Sequence, residues 1–233
     1  MRHDTLDLLL QARAAKRPAA RLRWLDVERE ALVVAGEVVA GEPQPEAVLR
    51  AVADAHRRDR STTVPTDDGL LFIQIFNPPL RLIVIGAVHI AQALVPMASL
   101  TGYDVTVVDP RRAFASDARF PGVDVRGDWP DEALAEIKPD ARTAIVTLTH
   151  DPKLDDPALD FALRSDAFYI GALGSKRTHG ARLERLKELG HQAARLGRIH
   201  GPAGLSIGAV SPAEIAVSIM AQMTQTLRQE PSG

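Results

Sequence analysis

From Leu80 onward the chain repeats one pattern: a short, nearly all-apolar run, a turn, then a longer stretch with helical spacing. The runs are RLIVIG (81–86), DVTVVD (104–109), TAIVTLT (143–149) and AFYIGAL (167–173), with a shorter VDVRG at 123–127. Between and after them, spacing predicts helices over about 89–101, 130–137, 155–164, 176–189 and 211–228. A strand wetted on one face alternates apolar and polar residues. These runs do not alternate, so both their faces are covered. The expected fold is α/β, a Rossmann-like, doubly wound, mostly parallel sheet. The last helix carries a start signal: Ser211 as N-cap, Pro212 behind it and Glu214 at N3, a capping box.

The first part of the chain reads differently. DTLDLLLQARAAK has helical spacing with Asp4 as cap. ALVVAGEVVAGE holds two β-branched runs broken by Gly36 and Gly41, which suggests strands or a hairpin. PQPEAVLRAVADAHRRDR restarts as a helix with Pro45 near its first position. A turn at Asp67-Asp68-Gly69 and a further strand follow. The stiff NPP at 77–79 then marks a boundary, because the residue before a proline is pushed extended. The expectation is a small α+β region over 1–77 and a Rossmann-like domain over 78–233.

Composition excludes several functions. The chain has no cysteine, which rules out disulfides, thiolate metal sites, a cysteine nucleophile and a protein-borne persulfide. The formal net charge is -2, without the basic excess of a phosphate-reading surface, so no nucleic-acid partner is expected. No window holds the roughly 20 apolar residues that span a bilayer. The N-terminus lacks the basic, apolar, small-residue order of a signal peptide. A soluble cytoplasmic protein without membrane contact is the expectation.

Ligands of such a sheet sit beyond the carboxyl ends of its strands, so the loops after each strand carry the function. After the first comes Gly86-Ala87-Val88-His89-Ile90-Ala91. Gly86 supplies a tight turn, but Val88 and Ala91 stand where a dinucleotide fingerprint has glycine. The segment is either a nucleotide grip or a plain strand-to-helix turn. His89 is either a surface residue or a ligand contact. Asp109 follows roughly 20 residues on, where an acid takes ribose hydroxyls. Arg111 and Arg112 are suited to a phosphate or to solvent. The next loop offers His150 and Asp151. Then comes GALGSKRTH, where Gly171 and Gly174 keep the backbone open and Ser175 caps a helix. Lys176, Arg177, Thr178 and His179 crowd that helix start. Bases there oppose the helix dipole, which points to an anion site. His200 and Gly204 complete the set. No residue is assigned a catalytic or metal-ligating role.

Together the stretches RLIVIGAVHIAQAL, VTVVDPRRAFASDARFPG, TLTHDPKLDDPAL, YIGALGSKRTHGARLERL and RIHGPAGLSIGAVSPAEIAVSI resemble the XdhC/CoxI family of xanthine dehydrogenase accessory proteins. The resemblance implies a chaperone rather than a catalyst. Such a protein binds molybdenum cofactor (molybdopterin), assists its sulfuration with a cysteine desulfurase and delivers it to an apo molybdenum hydroxylase. It also implies contacts from Gly86, His89, Asp109, His150, Asp151, Gly171, Gly174, Ser175, Arg177, His200 and Gly204. The chain departs from the family at Val88 and Ala91, at Ser206 in place of an acid, and in its short cysteine-free first region. A homodimer is expected from the family and from the apolar stripe Ile215, Ile219, Met223. Two other readings stand beside this one: an NAD(P)-binding oxidoreductase, and a non-catalytic interaction protein on the same fold.

Overall fold

The computed structural model describes residues 3–111, 114 and 118–228. The described residues form two compact units, one of residues 3–78 with Leu227 and Arg228, the other Pro79–Thr226.

The first unit contains α1 (His3–Ala14), β1 (Ala19–Trp24), β2 (Glu30–Val34), β3 (Glu37–Ala40), α2 (Glu46–Arg57), β4 (Thr62–Thr66) and β5 (Gly69–Phe76). Its strands form an antiparallel sheet in the order β3-β2-β1-β5-β4. Alternation sorts its side chains to two faces. Leu22, Trp24, Val33, Leu71 and Ile73 pack with Val48, Val52 and Ala55 of α2. Ala19, Leu32 and Val34 pack with Leu9 and Ala12 of α1. Two strands here lack a sequence signature. Polar Arg21 and Arg23 interrupt β1, where Arg21 pairs with Glu30 across the ladder at 2.7 Å. β4 carries Pro65, which is tolerated because β4 is the sheet edge. Pro45 is the N-cap of α2.

The second unit runs β6 (Leu80–Ile85), α3 (His89–Leu100), β7 (Tyr103–Val108), β8 (Asp124–Arg126), α4 (Pro130–Ile137) and β9 (Thr143–Thr147). It continues α5 (Pro152–Arg164), β10 (Tyr169–Ala172), α6 (Lys176–Glu188), α7 (Ala193–Leu196), β11 (Ile199–His200) and α8 (Pro212–Arg228). The sheet order is β11-β10-β9-β6-β7-β8, and every neighbouring pair is parallel. This is the doubly wound order with its reversal between β6 and β9, where Ile83 lies opposite Ile145. All five residues of β9 are buried. Ile83, Ile85, Ile145 and Ile170 pack against Leu159, Leu163 and Leu186 from the helices.

The stripe on α8 turns inward. Ile219 and Met223 are fully buried within the chain, so they offer no face to a second copy. Of the two grounds for a homodimer, the stripe is spent on the chain's own core at Ile219 and Met223, and the family resemblance is left untouched. Among the described residues no helix is long and apolar enough to cross a membrane.

The turn after β6 depends on one glycine. Gly86 has φ +106, and a Cβ there would lie 2.5 Å from Thr149 Cγ2. Gly86→Ala is expected to lower unfolding stability by about 2 kcal/mol, from backbone strain and displacement of the Thr149 loop. Urea denaturation checks this. A change under about 0.5 kcal/mol would show that the turn relaxes freely.

Candidate functional site

The carboxyl ends of β6, β7, β9 and β10 bring their loops to one edge of the sheet. At the first loop, Gly86 donates its amide to Val108 O at 2.8 Å, stitching β6 to β7. The Ala87 amide donates to Asp109 Oδ2 at 2.8 Å. Asp109 is fully buried. Its carboxylate also accepts from the Arg111 amide at 3.0 Å and, as a two-pronged pair, from Arg111 Nε at 2.8 Å and Nη2 at 2.7 Å. Burial alone would raise its pKa. The hydrogen bonds from Arg111 and the Ala87 amide reverse that and hold it below the ordinary 3.8.

Asp109 is therefore fully engaged by its own chain. It is not available to ribose hydroxyls. Arg111 serves Asp109 and rests its guanidinium 4.7 Å from the centre of the Phe114 ring. Arg112 lies outside the described residues. Arg119 donates to the Ala87 carbonyl at 2.7 Å, closing the loop from the other side. Val88 takes the N-cap position of α3 with no side-chain cap, and His89 begins the helix exposed.

The β9 loop is built around the start of α5. Asp151 caps that helix, accepting from the Lys153 amide at 3.0 Å. His150 is exposed at φ +61, the left-handed conformation that lets the chain turn into the cap. Thr149 Oγ1 donates to Asp155 Oδ1 at 2.7 Å. Asp155, one turn beyond Asp151, is 2% exposed, and burial raises its pKa against the pull of Thr149 and Arg182.

The β10 loop meets the chain before α8. Gly171 leaves room for the Tyr169 ring, whose Cε1 would lie 2.7 Å from a Cβ there. Tyr169 stacks on His200 with centroids 4.8 Å apart. Its hydroxyl donates to Gln222 Oε1 at 2.7 Å, and the Gly204 amide donates to the same oxygen at 2.7 Å. Burial lowers the His200 pKa and raises that of Tyr169. The Ala203 amide bonds Ala172 O at 3.0 Å, fixing this segment to the strand end. Gly174 sits at φ +141 beside Thr178. Ser175 caps α6 by accepting from the Thr178 amide at 3.1 Å, and no acid stands in the first turn of α6. Arg177 is exposed.

Of the residues singled out from sequence, Gly86, Asp109, Asp151, Gly171, Gly174, Ser175, His200 and Gly204 shape or anchor these loops. His89, His150 and Arg177 stand at their exposed rim. The sequence reading missed Thr149, Asp155, Tyr169, Arg182 and Gln222, which tie the loops together. A signal existed for two of them. Asp155 follows Asp151 by one helical turn, and Arg182 follows Ser175 by two, so each shares a face with its cap.

A six-stranded parallel sheet of this order, with glycine-bearing loops at its carboxyl edge, defines a Rossmann-type unit. The profile of the XdhC Rossmann domain family matches residues 82–223, and the chain belongs to that family. It is 34% identical over 160 residues to a Bacillus subtilis protein named as a probable xanthine dehydrogenase subunit, covering 68% of this chain and 46% of that protein. It is 34% identical over 156 residues to the molybdenum cofactor insertion chaperone PaoD of Escherichia coli, covering 66% and 43%. An uncharacterized Escherichia coli protein, YqeB, is 32% identical over 174 residues, covering 70% and 30%. The matches thus span less than half the length of these relatives. A crystal structure of a xanthine dehydrogenase from Bacillus halodurans superposes with TM-score 0.73 at 26% identity, covering 97% of this chain and 67% of that one.

The Asp109 cluster generates a pH prediction. A carboxylate whose pKa is depressed on folding stabilises the fold above its unfolded pKa, and that contribution disappears as pH falls through the folded value. Asp109→Asn is expected to cost about 2 kcal/mol at pH 7. The gap to the wild type should close as the pH is lowered below 3.8, the ordinary value. Chemical denaturation of both proteins from pH 7 to pH 3 checks it, and a pH-independent gap would contradict it.

Proposed function

We propose that this protein is an accessory factor that binds molybdenum cofactor and assists its sulfuration and insertion into a xanthine dehydrogenase-type molybdenum hydroxylase. The observation that carries this reading is membership of the XdhC Rossmann domain family, with a relative named as a molybdenum cofactor insertion chaperone. That relative is more than twice as long as the stretch matched, so the assignment is drawn from the shared domain. The cofactor is cargo here, a pterin bearing a phosphate, and the candidate site is the carboxyl edge of the second sheet. Its chemistry suits such a cargo: the start of α6 presents amides without a neutralising acid in its first turn. The chain has no cysteine, so sulfur would travel on a partner, a cysteine desulfurase, while this protein holds the cofactor. The apo hydroxylase is the second partner.

NAD(P) fits less well. A dinucleotide needs a free acid at the end of β7 and free amides after β6, and here Asp109 and the Ala87 amide are bonded to each other. Millimolar NAD(P) is expected to leave the melting temperature unchanged. Val88→Gly alone should not create binding, because Asp109 stays engaged. A rise of several degrees in either protein would favour the oxidoreductase reading.

The delivery role is tested by co-expressing the protein with an apo molybdenum hydroxylase under limiting cofactor. The hydroxylase should gain activity and molybdenum content. Equal activity with and without the folded protein would overturn the proposal.

A further inference from the structure

Arg182 is 2% exposed. It lies two turns into α6, and its side chain runs back toward the helix start. Its Nη2 donates to Leu173 O at 2.8 Å, and a Cβ on Gly174 would lie 3.8 Å from that nitrogen. The guanidinium therefore lies directly under the Leu173–Gly174 backbone that leads into α6. Its Nε and Nη1 are buried with no hydrogen-bond partner. The counter-ion within 4 Å is Asp155, whose Oδ2 is 3.7 Å from Nη2, beyond hydrogen-bond distance and itself without a partner, while Asp156 acts from farther away and is held by Arg185. Asp155 is turned away from closer contact by Thr149, which holds its other oxygen at 2.7 Å.

This arrangement is costly for a fold alone. A guanidinium has been placed at the positive end of a helix, out of water, with two donors unanswered. The first-turn amides of Lys176 and Arg177 have no intrahelical acceptor, while Ser175 takes the Thr178 amide. No acid in the first turn offsets them. Unanswered buried donors beside free helix amides are the groups that a tetrahedral oxyanion satisfies.

We infer that Arg182, behind Gly174, is the charge-reading residue of a phosphate site at the amino end of α6, with Asp155 as the internal counter-ion that a bound phosphate replaces. The exposed Arg177 contributes a peripheral charge only. The inference rests on the proposed function solely in naming the cofactor's phosphate as the natural occupant. The site itself would accept any terminal phosphate group.

The competition between Asp155 and phosphate makes the test specific. Inorganic phosphate is the probe, titrated into the full chain by calorimetry, with melting temperature as the folding control. Arg182→Met should abolish binding, and Arg182→Lys, which keeps the charge but loses the fork of donors, should weaken it at least about tenfold. Arg177→Ala should change affinity less than about threefold. Asp155→Asn keeps the Thr149 bond and removes the competing charge, so phosphate should bind about tenfold tighter. A merely structural pair would give weaker or unchanged binding in Asp155→Asn. That result, wild-type binding in a folded Arg182→Lys, or no phosphate binding by the wild type would each overturn the inference. Cofactor delivery unaffected in a folded Arg182→Lys would overturn it too and leave the proposed function standing. Phosphate binding as described, with no delivery at all, would remove the proposed function and leave the site.

Discussion

Everything at the candidate site is positioned by the parallel pairing of β6 with β9. These strands are neighbours in space but not in sequence, and the chain winds outward from them in both directions. Their loops must separate there, because one leads to a helix on one face and the other to a helix on the opposite face. Gly86 makes that possible without closing the gap. Its missing Cβ is the space taken by the Thr149 methyl, and Thr149 in turn orients Asp155. A single strand-end contact thus reaches through Asp155 to Arg182 and the start of α6.

The two halves of the sheet have been put to different uses. On the β7 side the described polar groups around Asp109 are paired within the chain. Among the described residues, Asp109, the Ala87 amide, Arg111 and Arg119 bond to one another and to the loop backbone. On the β10 side the balance is reversed. Donors on Arg182 and an acceptor on Asp155 are buried without partners, and the helix start has no acid. The proposed recognition chemistry therefore lies beside β10 and α6, even though the familiar dinucleotide layout draws attention to β6 and α3.

The strands of the second sheet were legible because burial on both faces leaves continuous apolar runs such as TAIVTLT. The α8 start was legible as well: Ser211 Oγ accepts from the Glu214 amide, and Glu214 accepts from the Ser211 amide at 2.8 Å. Pairing-dependent features were not. Arg21 and Arg23 break the apolar run of β1, and only the partner strands show why they are tolerated. Arg111 reads as suited to a phosphate or to solvent until its bond to Asp109 is seen. Asp151 reads as a loop residue placed for a ligand, although its local task is to cap α5. Arg177 and Arg182 look alike in sequence, and only the packing of α6 against α5 buries one and exposes the other.

The most direct test of the central claim is the small-molecule content of the protein purified, folded, from a host that makes molybdenum cofactor. Denaturation and oxidation should release a fluorescent, phosphate-bearing pterin in near-stoichiometric amount, identified by mass spectrometry. Release of no pterin from the folded protein, or of a nicotinamide dinucleotide in its place, would contradict the account.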